Sequence, residues 1–236
     1  MRYVIYGGIF LAIALGAVVF TGVVEVRDVR VANIPDFVAP QVDESARAWL
    51  DERTILIRRS SVLPVVRTDA LVQALAEAFP ELASISVRAD LPHAIEISAT
   101  ERLPVGIWCR ADVCRFWDRS GTFWGTAVES VGPLLMLIRD QRAEEFQDEQ
   151  LLPGILTVLD GLEPLGLKAK YILLPDAEPG GMRIPTNRGW DLLMDASGDV
   201  QEQLSTLGVF LADTGANASF HPAYIDLRTP GRVYFQ

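Results

Sequence analysis

The chain has 236 residues, of which 50% are hydrophobic, and a formal net charge of −10. So acidic a protein repels phosphate backbones and anionic headgroups, which argues against nucleic acid as a partner. With two cysteines and two histidines, the chain also offers few of the ligands that a zinc site requires.

The first 24 residues form an apolar segment. Residues 3–24 carry no charged side chain, and a helix of 22 residues spans about 33 Å, against a hydrocarbon core of about 30 Å. The apolar region of a signal peptide is shorter, about 7 to 15 residues. We therefore expect residues 1–24 to be an uncleaved transmembrane anchor. Arg2 on one side and Arg27 and Arg30 on the other do not decide its orientation.

Residues 25–103 are predicted to form one α+β domain with the element order β-α-α-β-β. Apolar residues recur at helical spacing in two stretches and alternate with polar ones in two others. The predicted elements are a strand that begins at Val29 or follows a bulge at Arg27-Asp28, a helix over 42–50, an extended piece at 54–57, a helix with Thr68 or Asp69 as its N-cap and Pro80 as its stop, and antiparallel strands at 84–88 and 95–100.

Residues 104–236 are predicted to form a second, strand-rich domain with two helices. Leu134 to Ile138 is a continuous apolar run, which is typical of a buried central strand. Pro153 fits only the first turn of a helix, so that helix should begin near Gln150. The other predicted elements are strands at 105–109, 113–118, 122–125, 169–174, 182–185, 189–195, 223–227 and 232–235 and a helix over 200–212.

The two cysteines, Cys109 and Cys114, are separated by four residues. A four-residue hairpin loop would place them opposite each other, within disulfide reach. Free thiols in a strand pair, or a metal or redox site, remain alternatives, although a redox motif would have two intervening residues. Because persistent disulfides form outside the cytosol, the pair favours an extracytoplasmic domain and a cytoplasmic amino terminus.

No motif of a nucleophile elbow, a zinc protease helix or a phosphate-binding loop occurs in the chain. His93 lies beside a predicted turn and His221 in a late loop, positions typical of ordinary surface residues. A pair of carboxylates for glycoside cleavage remains open, but nothing in the sequence singles one out. We therefore expect a protein that is not an enzyme and that binds no cofactor.

Several segments, in order along nearly the whole chain, resemble the FtsQ/DivIB family of cell-division proteins. The family pattern is a helix that ends in Pro, a strand that ends in Arg, a Pro turn, a second strand, a Glu-Arg-x-Pro-Val-Ala-x-Trp segment, a Gly-containing hairpin and two closing strands. The matching segments are 79–88 (FPELASISVR), 91–92 (LP), 95–97 (IEI), 101–108 (ERLPVGIW), 116–124 (FWDRSGTFW), 224–228 (YIDLR) and 232–234 (RVY).

The chain departs from that family pattern in three features. Gly106 replaces the usual Ala, Ala32-Asn33 stands where a Gly usually follows the first strand, and the cytoplasmic tail is almost missing. The last departure removes the usual topology signal and any partner contact through a tail.

The resemblance implies a transmembrane anchor (1–24), a POTRA domain (25–103) and the family's β domain (104–236). It also implies a single-pass protein of the bacterial inner membrane, with its carboxy-terminal domain outside the cytoplasm at the division septum. There it would act as a non-enzymatic divisome scaffold that binds FtsB-like and FtsL-like bitopic proteins.

In the family, a short segment of FtsB adds a strand to the late strands of the β domain. The stretch from Arg232 to Phe235 is a natural edge strand, and a lone edge offers unpaired backbone groups. Tyr234 and Phe235 would supply anchors, or one of them would pack inward, because alternate residues face opposite sides. The expected partner-binding residues are Tyr224, Asp226, Arg228, Arg232, Tyr234 and Phe235.

Glu101 and Arg102 are expected to brace the junction between the two domains, with a partner contact as the alternative. The alternative function for the whole chain is that of another anchored POTRA protein, in export or envelope assembly. An anchored cell-wall hydrolase ranks third.

Overall fold

The structure, a computed structural model, describes residues 25–54, 57–61, 68–90, 93–130, 135–142, 148–176, 178, 180–214 and 220–236. In this part the chain is a mixed α+β protein with four helices. It divides into two compact units between Arg102 and Leu103, one residue before the predicted boundary. The predicted anchor, residues 1–24, lies outside the described residues. Within them, no helix is both long and apolar enough to cross a bilayer.

The first unit follows the predicted order of elements, with a small hairpin between its two helices. The elements are β1 (Asp28–Ala32), α1 (Ala39–Asp51), β2 (Arg53–Thr54), β3 (Ile57–Arg58), a 3-10 turn (Arg59–Ser61), α2 (Thr68–Ala78), β4 (Leu82–Asp90) and β5 (Ala94–Glu101). Helix α1 ends before the hairpin, and Pro80 follows two residues after the end of α2 because proline cannot continue a helix.

The core of the first unit lies between one face of a sheet and its two helices. Among the described strands the sheet order is β1-β5-β4, with β1 parallel and β4 antiparallel to β5. The helices contribute side chains at the spacing that the sequence predicted, and β5 contributes alternate residues. The fully or nearly fully buried side chains include Val42, Ala46, Leu50, Leu71, Leu75, Ile95 and Ile97.

Asn33, which follows β1, has a positive φ of 55°. This left-handed conformation is open to glycine and, among the other residues, is best tolerated by asparagine and aspartate. Asn33 is thus one of the few residues other than glycine that adopt this backbone conformation readily.

The second unit contains the remaining elements. They are β6 (Gly106–Arg110), β7 (Val113–Trp117), β8 (Phe123–Trp124), β9 (Met136–Asp140), α3 (Asp148–Leu162), a 3-10 turn (Glu163–Leu165), β10 (Ile172–Leu174), β11 (Gly181–Pro185), β12 (Asp191–Asp195), α4 (Val200–Thr214), β13 (Tyr224–Asp226) and β14 (Tyr234–Phe235).

These strands form one mixed sheet. In the described part its order is β14-β13-β12-β11-β10-β9-β6-β7-β8. Helices α3 and α4 pack on the face that carries Trp108, Ile138, Ile172 and Leu192, and together they form the main core of the unit. A smaller apolar cluster, with Ile107, Cys109, Cys114, Ala127 and Leu137, includes both cysteines.

Several predicted boundaries are wrong. Strand β10 begins at Ile172 and not at residue 169, and β14 comprises only Tyr234 and Phe235 of the predicted edge strand 232–235. Strand β9 begins at Met136 and runs to Asp140, because its residues pair with β6 and β10 beyond the apolar run itself. Helix α3 begins at Asp148, so Pro153 is its sixth residue. In a regular helix the N–H of residue 153 would donate to the carbonyl of Glu149, and proline has no N–H. Glu149 lies in the first turn, where helices commonly fray, so the missing bond is tolerated there. Gly154 then lets the helix pass so close to the carbonyl of Ala196 that no Cβ would fit.

Asp140, at the end of β9, is the centre of a buried ion cluster. Its carboxylate accepts hydrogen bonds from Trp108 Nε1 at 3.1 Å, Arg110 Nε at 2.9 Å and Arg142 Nε at 2.8 Å. The side chains of Asp140 and Arg142 are 0% and 2% exposed. Burial alone would raise the pKa of Asp140, but the hydrogen bonds from Arg142 and Arg110 outweigh it and lower the pKa to about 2. The cluster therefore ties β6 and the segment after β9 to one ionised carboxylate.

Candidate partner-binding edge

Strand β14 lies at one edge of the sheet, as the described strands are ordered, and pairs antiparallel with β13. The connection between the two strands, residues 227–233, contains a tight turn: Arg232 N donates to Thr229 O at 3.1 Å, and Gly231 has a φ of 65°. Proline at the second position and glycine with positive φ at the third are the signature of a type II turn. The Thr-Pro-Gly-Arg sequence thus fixes how β14 folds back along β13.

The backbone of Phe235 points away from the sheet. Ile225 lies opposite Phe235, and Gln236 N donates to Tyr224 O at 3.4 Å. In an antiparallel pair, inward and outward residues alternate, so Tyr234 and Gln236 bond β13 while the N–H and C=O of Phe235 face outward. A partner strand would find its hydrogen-bonding groups at Phe235.

The two aromatic side chains of β14 lie on opposite faces of the sheet, as strand geometry requires. Phe235 packs against the rings of Phe210 and Phe220, with centroids 5.4 and 5.6 Å apart, yet remains 54% exposed. Tyr234 is 48% exposed, and its hydroxyl accepts a hydrogen bond from Arg232 Nη1 at 3.4 Å. Each ring is therefore partly supported by the protein and partly open to a partner.

Phe210 and Phe220 were not among the residues predicted for this edge. Phe210 lies on α4, and Phe220 precedes β13, so neither belongs to the strands that the sequence pointed to. Only the sheet pairing brings both rings to Phe235, and no local pattern signals that contact.

Asp226, the last residue of β13, forms an ion pair with Arg228. Arg228 donates to both carboxylate oxygens of Asp226, through Nε at 2.9 Å and Nη2 at 2.6 Å, and also to Glu178. This pairing lowers the pKa of Asp226 and raises that of Arg228. Asp226 and Arg228, two of the predicted partner-binding residues, are thus already bound to each other within the protein. Tyr224, half-buried on β13, lies next to the edge strand.

Arg102 binds within the first unit. Its Nε donates to Pro80 O at 2.8 Å and one Nη to Leu82 O at 3.0 Å, so it fastens the end of β5 to the turn between α2 and β4. Glu101, the last residue of β5, is exposed. Their predicted role at the domain junction stays a prediction.

Cys109 and Cys114 form a disulfide. They lie directly opposite each other on β6 and β7, with Cα atoms 4.1 Å apart. The predicted four-residue loop is wrong, because Arg110 and Val113 also pair and leave a two-residue turn. Ala111 in that turn has a φ of 49°, as tight hairpins require, at a cost that glycine or asparagine would avoid.

The described residues contain no group of three or more histidine, cysteine, aspartate or glutamate side chains that could hold a metal ion. His93 Nδ1 lies 3.1 Å from the carbonyl oxygen of Glu25, and His221 is exposed. The structure thus brings together the aromatic and backbone groups of the predicted edge, but it groups neither histidine with other potential metal ligands in the described part.

No family model matches the chain, and no curated protein matches it either.

Reducing the disulfide should lower the free energy of unfolding of the second unit by about 2 kcal/mol, because so small a loop restricts the unfolded chain only modestly. The double variant Cys109→Ser/Cys114→Ser should show the same loss in urea titrations. Without reductant, the native protein should not react with an alkylating reagent at either cysteine. Two freely reactive thiols would contradict the disulfide.

Proposed function

We propose that this chain is a non-enzymatic scaffold of the bacterial divisome, of the FtsQ/DivIB type, with a POTRA domain followed by a β domain. On this proposal it is a single-pass inner-membrane protein at the septum, and it binds FtsB-like and FtsL-like bitopic proteins outside the cytoplasm. The partner strand of the FtsB-like protein pairs with β14.

The observation that carries the proposal is the open edge at β14, with its outward backbone and two half-exposed aromatic rings. Backbone groups at a sheet edge are what a partner strand pairs with, and aromatic residues are enriched among the anchors of protein interfaces. The edge thus offers both components of strand addition in one place.

The element order of the first unit adds support, since β1, α1, α2, β4 and β5 follow the order that the resemblance implies for a POTRA domain. This observation does not depend on the partner edge.

Replacing Phe235 with alanine should weaken binding of the FtsB-like partner about tenfold or more, because it removes one of the two half-exposed aromatic rings of the edge. The variant Phe235→Pro should weaken it further, since proline also removes the outward N–H while the bonds from Tyr234 and Gln236 to β13 remain. The measurement is titration of the extracytoplasmic segment of the partner against the purified chain.

Val128→Ala provides a matched control, because Val128 is 83% exposed and lies outside β13 and β14. It should leave the affinity unchanged, and thermal unfolding of each variant should show that the domain stays folded. Truncation after Pro230 removes β14 completely, and undiminished binding by that variant would reject the edge as the partner site.

The cellular role is tested by a fluorescent fusion and by depletion. A divisome scaffold should concentrate at the septum, and its depletion should give filamentous cells with blocked septa. Secretion defects instead would favour an anchored POTRA protein in export or envelope assembly, and altered wall-cleavage products would favour a hydrolase.

A further inference from the structure

Both lysines of the chain, Lys168 and Lys170, lie on one segment just before β10. Ala169, between them, forms an isolated antiparallel bridge with Thr186, so this segment runs beside the turn that joins β11 and β12. Lys168 N donates to Asn187 Oδ1 at 2.8 Å, and Asn187 N donates to Lys168 O at 2.9 Å. These bonds hold the lysine segment against the turn.

Arg188, in the same turn, adds a third cation. A Cβ at Gly166 would lie 3.4 Å from Arg188 Nη2, so the guanidinium lies close to the start of the lysine segment. Lys168, Lys170 and Arg188 are all exposed. In the part of the chain that the structure describes, none of the three forms an ion pair with Glu163 or with any other acidic residue. Three unpaired positive charges therefore lie together on an acidic protein.

The groups around these cations are donors. Asn187 must turn Oδ1 toward Lys168 N, because a backbone N–H only donates, and its side-chain NH2 group is left for a ligand. The neighbouring carbonyl oxygens of Lys168 and Pro185 already accept bonds from Asn187 N and Lys170 N. A ligand that only accepts hydrogen bonds, such as a carboxylate, suits such a surface. We call the following residues the donor cluster: Lys168, Lys170, Asn187 and Arg188.

Thr186 fixes the conformation of the turn that carries half of this cluster. Thr186 is 1% exposed, and its hydroxyl donates to Trp190 O at 2.7 Å and accepts from Arg188 N at 3.3 Å. Gly189 N donates to Thr186 O at 3.3 Å. Asn187 and Arg188 are thus held in place before any ligand binds, which lowers the entropy cost of binding.

The charge of the whole protein limits the size of that ligand. The chain has a net charge of −10, so a broad anionic surface, such as a bilayer, would be repelled by the rest of the protein. Charges more than about 8 Å apart are largely screened at physiological salt, so a short segment would meet mainly the donor cluster. Two residues of extended chain span about 6.6 Å, the spacing of alternate side chains in an extended peptide.

We propose that the donor cluster binds a short, extended acidic segment of a protein partner, with carboxylates at alternate positions. Lys168 and Lys170 bind two successive carboxylates on one side of the segment, and Arg188 with the Asn187 amide binds a third. The site uses no residue of β13 or β14 and does not depend on the proposed function.

Binding is measured on the full chain in detergent solution, with a labelled hexaglutamate peptide as the probe and hexaglutamine as its uncharged control. Hexaglutamate should bind saturably, and its affinity should fall as the salt concentration rises, whereas hexaglutamine should not bind. Because the chain as a whole repels the probe, saturable binding requires a local basic site. No saturable binding of hexaglutamate, or equal binding of both peptides, would overturn the proposal.

Arg188→Glu should weaken the binding of hexaglutamate about tenfold or more, because it replaces a cation of the cluster by a carboxylate. Arg188→Lys keeps the charge and should retain most of the affinity. Arg115→Glu is the matched control, since Arg115 is exposed on β7, outside the cluster, and its replacement changes the net charge by the same amount as Arg188→Glu. Thermal unfolding shows that each variant is folded. Equal losses for the two glutamate variants would reveal a general effect of charge and would contradict a local site.

A carbodiimide, which joins carboxylates to amines, identifies the contact directly because the chain has no lysine besides Lys168 and Lys170. Mass spectrometry should find hexaglutamate coupled to these two residues, and Arg188→Glu should reduce the coupling although both lysines remain. Undiminished coupling in that variant would count against the proposal.

Inorganic phosphate tests the other class of anion. It should displace hexaglutamate only at ionic strengths at which sodium chloride does so too. Displacement at a much lower concentration would assign the cluster to phosphate groups and reject the proposal.

Discussion

Replacing Asp140 with alanine is expected to lower the free energy of unfolding by about 3–5 kcal/mol, one of the two largest effects that the structure implies. The variant would leave Arg142, whose side chain is 2% exposed, without its buried carboxylate partner. Arg110 and the indole N–H of Trp108 would lose the same acceptor. Urea unfolding followed by tryptophan fluorescence measures the loss.

Asp160→Ala is the matched control. Asp160 also accepts two hydrogen bonds from one arginine, Arg119, but both side chains are more than half exposed. An exposed ion pair contributes at most about 1 kcal/mol, so this variant should be nearly as stable as the wild type. Equal losses for the two variants would contradict the assignment of Asp140 as a buried centre.

The stabilising effect of Asp140 should depend on pH. Its pKa of about 2 in the folded protein lies below the ordinary value of 3.8, so the ionised form stabilises the fold. That contribution, about 2 kcal/mol, is complete above pH 4 and is lost as the pH falls from about 4 to about 2. The stability difference between the wild type and Asp140→Ala should therefore shrink over this range, and a constant difference would argue against an ionised Asp140.

Gly106→Ala is expected to be the second large effect, with a loss of about 3 kcal/mol. A Cβ at Gly106 would overlap the carbonyl oxygen of Met136 on the neighbouring strand and would lie 2.7 Å from Trp117 Nε1. Because the carbonyl belongs to the backbone of β9, the parallel pair of β6 and β9 would have to separate to make room. Denaturant unfolding measures this loss as well.

Two further variants test the cause of that loss. Gly106→Ala should be compared in the wild type and in Trp117→Phe, because Trp117 is fully buried and its replacement lowers the stability by itself. In the Trp117→Phe background Gly106→Ala should still cause most of its loss, since the overlap with Met136 remains after the indole nitrogen is removed. Gly208→Ala, the same substitution in α4, meets only a flexible leucine side chain at 3.3 Å. It should be neutral or stabilise the protein by up to about 1 kcal/mol through helix propensity. If Gly106→Ala had no effect in the Trp117→Phe background, the backbone overlap would not be the cause.

The element types could be read from the sequence because they depend on local patterns. Helix α1 buries Val42, Ala46 and Leu50 at helical spacing, and β5 buries Ile95 and Ile97 at strand spacing. The same holds for the turn that returns β14 along β13, since proline and glycine set its backbone angles locally. Where non-local pairing sets an end, as for β9, the predicted bounds were wrong.

The candidate edge was only partly predictable. The aromatic pair Tyr234 and Phe235 and the late position of the strand were visible in the sequence, whereas the support of Phe235 by Phe210 and Phe220 was not. Likewise, no local pattern singles out Asp140, because Arg110 lies 30 residues away from it along the chain. Contacts of this kind depend on which strands become neighbours.

The local conformations, that is, the periodic helices and strands and the turn residues, could be inferred from the sequence. Three features depend on contacts between distant segments: the strands at the edges of the two sheets, the arginines that share the carboxylate of Asp140, and the lack of room for a methyl group at Gly106. The physical reason is that hydrophobic period and turn chemistry act over a few residues. Strand order, burial and close backbone approach arise when distant segments compete for the same core.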